Sequence, residues 1–149
     1  MPNHVRQQIR DAALALLKNN TTAGSYVRLA DAIATDQQDL PAIVIYTKEE
    51  QAGLEEATMG ATRSQQRELQ LIIEIQARGT NVQNSLDAIA AQVEPLMSAD
   101  RTIGGLAKDS WLDDSSSDFD GDGDQFIATL ALLYQVDYRT VEGAPTVAV

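Results

Sequence analysis

In residues 4–18, "HVRQQIRDAALALLK", apolar side chains fall at Val5, Ile9, Ala12, Ala13 and Leu16. That is the i, i+4, i+7 spacing of a helix with one buried face. Asn19 and Asn20 follow as stop signals. Val27 and Leu29 fit a short strand, and polar residues come after them. "LPAIVIYT", residues 40–47, is a compact β-branched and aromatic run. Pro41 lacks an amide donor and belongs at its start. Ile43 to Tyr46 are apolar on both faces, which predicts a strand covered on two sides. In "RELQLIIEIQARG", Leu69, Leu71, Ile73 and Ile75 alternate with Glu68, Gln70 and Glu74, the pattern of a half-buried strand. Gly79 ends it and Thr80 opens a second helix, with Gln83 completing a Thr-x-x-Gln capping box. Val82, Leu86, Ile89, Ala90 and Val93 share a face, and Pro95 predicts an end near Val93 or Glu94. A short strand is expected around Ser110 to Asp113. In "FIATLALLYQVDY", Phe126, Ala128, Leu130, Leu132, Tyr134, Val136 and Tyr138 occupy one face of a long last strand.

Residues 48–66 break this patterning. Glu49, Glu50, Glu55 and Glu56, with Gly53 and Gly60 and few large apolar groups, predict a loop about 19 residues long. Loops of that length in compact domains are usually functional or disordered. The order helix, strand, strand, loop, strand, helix, strand, strand predicts an α+β fold: a mostly antiparallel sheet with two main helices packed on one face. One domain over 1–139 is expected, with 140–149 as a flexible tail.

Composition narrows the function. The chain has 149 residues, 44% of them hydrophobic, enough for one domain with its own core. No apolar run approaches the roughly 18 residues of a membrane span, so no membrane partner is expected. With no cysteine, thiolate chemistry and zinc–cysteine sites are excluded. A net charge of −11 with no basic stripe argues against a specific nucleic-acid partner.

"SSSDFDGDGDQF", residues 115–126, has the opening spacing of a calcium loop: Asp118, Asp120 and Asp122 at positions 1, 3 and 5, with Gly123 at position 6. Position 12 is Thr129 where a bidentate glutamate belongs, and the flanks read as strands rather than helices. A hairpin between Trp111 and Phe126 is therefore expected, because Asp-Gly is strong turn chemistry. A small calcium-binding module is the alternative. Trp111 reads as core or interface packing. No nucleophile–base–orienter set, metal motif or phosphate-cradling loop occurs, so no catalytic, cofactor-binding or metal residue is assigned and no cofactor is expected. His4, the lone histidine, has nothing in sequence to orient it as a base.

Taken in order, "LPAIVIYTKEEQAG", "RELQLIIEIQARG" and "FIATLALLYQVDYRT" resemble the tail terminator proteins of long-tailed bacteriophages, the group with the lambda-type minor tail protein U. The resemblance runs from about His4 to Thr140 and rests on order and spacing rather than on one motif. It implies a structural virion protein without enzymatic residues. Such proteins form a ring, typically a hexamer, on the head-proximal end of the tail tube. Its implied partners are other copies of itself, the major tail tube protein and a head–neck connector, and it would assemble in the bacterial host cytoplasm. Another neck component, a head-closure or tail-completion protein, is the runner-up. Glu49, Glu50, Glu55, Glu56 and Arg63, in or beside the predicted loop, are the candidate assembly-surface residues.

Overall fold

Helix α1 spans Val5–Leu17 and buries Val5, Ile9, Ala13 and Leu17, one residue per turn. Ala12 and Leu16 pack on the rim of this stripe. Its first turn is closed by His4, whose Nδ1 accepts from the Arg6 amide at 3.1 Å. At the other end Asn19 takes a left-handed φ of 63° and Asn20 Nδ2 donates to the Leu16 carbonyl at 2.8 Å, which stops the helix where expected. The computed structural model describes residues 2–30, 40–54, 63–120 and 127–149.

Strands β1 (Val27–Leu29), β2 (Ala42–Leu54), β3 (Ser64–Arg78), β4 (Asp109–Asp120), β5 (Ile127–Val141) and β6 (Ala144–Ala148) form one sheet. Its order is β1-β2-β3-β5-β4, with β6 also on β5. β1 runs parallel to β2, and the other pairings are antiparallel. Helix α1 and helix α2 (Val82–Ala99) share a single buried core with the inner face of this sheet. The α+β expectation holds. Leu69, Leu71, Ile73 and Ile75 of β3 and the even-numbered residues Ala128 to Tyr138 of β5 are buried, as their alternation requires.

Five expectations are corrected. The loop over 48–66 is sheet in its described part, since β2 continues to Leu54 and β3 begins at Ser64. Those polar residues are held by the ladder: β3 pairs with β2 on one side and with β5, as far as Val141, on the other. Pairing with β3, which is itself held on both edges, overrides weak strand propensity in this part of β2. The strand around Ser110 runs on to Asp120 and pairs with β5 down to Asp120↔Ile127, so the arms of the expected hairpin reach well past Asp113. Asp118, position 1 of the calcium pattern, lies opposite Thr129, position 12, across this ladder. Asp122 and Asp124 lie outside the described residues. The expected tail, 140–149, is also structured: β6 pairs with β5, Gln8 Nε2 donates to the Thr146 carbonyl at 2.8 Å, and Ala148 packs on the core.

The last two corrections concern α2. Its N-cap is Asn81, and no side-chain cap bond forms, so the Thr80–Gln83 box is not made. The helix also passes through Pro95 to Ala99. Val93 and Met97, one turn apart, are buried on either side of the proline, while Pro95 itself faces solvent. Packing of that stripe outweighs the missing amide. Pro95→Ala should therefore stabilise the protein by about 1–3 kcal/mol, read as a higher denaturation midpoint. An unchanged or lower midpoint would show that this turn depends on the ring.

Two bulges set which residues face the helices. On β2, Thr47 pairs with Leu71 and Glu50 with Leu69, three steps against two. On β4, Leu112 pairs with Tyr134 and Asp114 with Leu133, two steps against one. Each extra residue inverts the alternation downstream.

Candidate functional site

Strict alternation from Ile43 and Ile45 would send Glu49 inward. The β2 bulge sends Glu50 inward instead, opposite buried Leu69. The Glu50 side chain is only 10% exposed and is met from three elements. Arg6 of α1 donates to Oε2 at 3.2 Å, Arg67 of β3 donates to the same oxygen at 3.4 Å, and the Tyr138 hydroxyl of β5 donates to Oε1. The Arg67 guanidinium lies 6.0 Å from the Tyr138 ring centroid and donates from Nη2 to Gln65 Oε1 at 3.1 Å. Its Nη1 also lies 3.4 Å from His4 Nε2. One carboxylate thus ties α1, β2, β3 and β5 together.

Above this cluster opens a cleft of about 370 Å³, lined by His4, Arg6, Arg10, Lys48, Thr47 and Glu50 among others. Arg10 donates to Thr47 Oγ1 at 2.9 Å, and Lys48 is exposed. With Arg67 beside it, the cleft gathers four cations around one carboxylate, on a chain of net charge −11. The local field shows in His4. Burial first, then the charges of Arg6 and Arg67, hold its pKa below the usual histidine value. Tyr138 is pushed above the ordinary phenol range by burial and then by Glu50. What the cleft offers chemically is attraction for an anion.

The five sequence candidates do not converge. Glu49 lies on the other sheet face, in a shallow polar depression with Gln51, Glu68, Gln70 and Gln135. Glu50 is the buried hub. Arg63, just before β3, pairs through Nε with Glu142 Oε2 at 2.6 Å, on the β5–β6 turn. Glu55 and Glu56 lie outside the described residues. Sequence reading missed Arg6, Arg10, Lys48 and Arg67. They are distant in the chain, and their only shared signal is that Arg6 and Arg10 stand four apart on one helix face.

On β4, Trp111 is 45% and Phe119 48% exposed, so the tryptophan is not core. Among the described residues, no group of three or more His, Asp or Glu is arranged to hold a metal ion.

A sequence-family model described as phage minor tail protein U matches residues 4–138. Among solved structures, a chain of the virion of a native gene transfer agent particle is similar, with 15% identity, 90% of this chain and 92% of that chain covered, and a TM-score of 0.42. No curated protein matches.

Proposed function

Because the chain belongs to the phage minor tail protein U family, matched from residue 4 to residue 138, we propose that it is a tail terminator. A structural role in a phage tail follows from family membership. The finer reading is that copies of the chain form a ring of six on the head-proximal end of the finished tail tube. The ring stops polymerisation of the major tail tube protein and presents the surface to which the head–neck connector joins. The protein is no enzyme in this reading. The family match is the observation that carries it. The sheet supports it physically: β2, β3 and β5 are bound into one rigid scaffold, as a subunit held between partners on several sides needs. Glu49 on the outer sheet face, Arg63 just before β3 and paired with Glu142 of the β5–β6 turn, and Glu55 and Glu56, which follow Leu54 in the sequence, remain the proposed assembly contacts.

The test is particle assembly without this protein. Electron microscopy should then show tubes of uncontrolled length and unjoined heads, with both defects corrected when the protein is supplied. Tails of normal length that fail to join heads would make it a head-closure or tail-completion protein instead. Normal infectious particles would remove it from the neck altogether.

A further inference from the structure

We propose that the basic cleft between α1 and the β2 bulge is a socket for the acidic edge strand β4 of a second copy of this chain. The inference rests on the ring reading and supplies its contact.

Three observations carry it. The first is charge. Arg6, Arg10 and Lys48 line the cleft with Arg67 behind them, while Glu50 is already engaged by Arg6, Arg67 and Tyr138. Between Asp109 and Asp120 the sequence has five aspartates and no Lys or Arg. Asp113, Asp114 and Asp118 of that strand are exposed. Two copies of a −11 chain repel on average, so a contact that brings opposite patches together within roughly a Debye length of 8 Å is favoured over other orientations.

The second is the character of β4. It ends the described strand path and pairs there only with β5, which leaves its far edge open. Such edges are normally short or covered, whereas this one has 12 residues. Trp111 and Phe119 stand exposed along it, and aromatic side chains ringed by polar groups are typical anchors of protein interfaces. The β4 bulge at Asp113 helps place Phe119 on the helix side of the sheet, opposite Ala128.

The third is topology. β2 and β4 are separated by β3 and β5, about 14 Å across a rigid sheet, so one chain cannot join its own two patches. Cleft to edge is a head-to-tail contact. Repeated with a rotation that divides the full circle and with no rise it closes into a ring, whereas a self-complementary patch would stop at a dimer. The cleft is sized for a few side chains, which favours a protein edge over a nucleic-acid duplex.

Charge swapping tests the pairing. Arg10 and Lys48 lie outside the Glu50 ion pairs, so Arg10→Glu/Lys48→Glu should stay folded, with a midpoint lowered only slightly by loss of the Arg10–Thr47 hydrogen bond. Its self-association, followed by sedimentation velocity, should weaken about a hundredfold. Asp114→Lys/Asp118→Lys should weaken equally. Mixing the two variants should restore assembly, since each then carries the sign its neighbour needs, and wild-type assembly should fall as salt rises. If the wild type assembles and both variants assemble equally well, the ring stands and this pairing falls. If the wild type stays monomeric at every concentration, this pairing falls, and the ring reading is then decided by the particle-assembly test alone. Duplex DNA binding by the wild type that is lost in Arg10→Glu/Lys48→Glu would give the cleft to nucleic acid and overturn the proposal.

Discussion

Ile73→Asp should abolish the fold at ordinary temperature, while Glu74→Lys, one residue on, should leave it intact. Ile73 is fully buried between Ile45 of β2 and Leu132 of β5, at the middle of the sheet's inner face. A carboxylate there has no polar partner and no route to water. Its burial costs several kcal/mol even if it takes up a proton. Loss of the isoleucine adds a packing penalty of similar order. Against a domain stability of about 5–15 kcal/mol, the sum is most or all of the margin. Glu74 points to the opposite face, where it accepts from Gln76 at 2.9 Å and is partly exposed. Its reversal should cost less than about 1 kcal/mol. Urea denaturation followed by circular dichroism reads both variants. Similar losses from the two would mean that the β3 register is wrong.

The second large effect separates two adjacent glutamates. Glu50→Ala should cost about 3–5 kcal/mol, because it leaves Arg67, whose side chain is only 13% exposed, beside an unpaired Tyr138 hydroxyl in a largely buried site. Arg6 loses the same partner but is 42% exposed and is hydrated instead, so its share of the loss is small. Glu49→Ala should fall within about 0.5 kcal/mol of wild type, since Glu49 is exposed on the outer face. Matched chemical-denaturation curves decide. Equal costs, or a larger one for Glu49, would place the bulge elsewhere.

The regular parts of the fold were legible because burial there obeys a period. The four-residue recurrence in α1 and the twofold alternation of Leu69 to Ile75 and of Ala128 to Tyr138 each named inward residues that the core contains. What escaped was set by contacts remote in sequence. Residues 48–54 are polar and predict a loop, yet β3 holds them in a ladder. Pro95 signals a stop that the burial of Met97 overrides. The short run Ala144–Ala148 carries no strong pattern and becomes a strand only because β5 offers an edge. At the candidate cleft, sequence singled out Glu50 as a surface acid. A single extra residue in β2 moved it inside, and nothing in the period of a strand records where such a residue will be accommodated. His4 was likewise unreadable as a helix cap, since histidine is not among the usual capping residues.

The β2 bulge also bears on how this chain can change in length. Remove one residue from Lys48–Glu49 and the ladder closes up: Thr47 still meets Leu71, Glu50 still meets Leu69, and every partner to Leu54 is kept. Remove one residue from the run Ile43–Ile45 instead, and part of the strand turns its apolar side chains out to water. Gaps among relatives of this protein should therefore collect at that one point in β2. A relative shortened there by loss of Lys48 would keep the fold and the Glu50 hub while losing a cation from the cleft, so natural length variation could retune the contact between neighbours without touching the core.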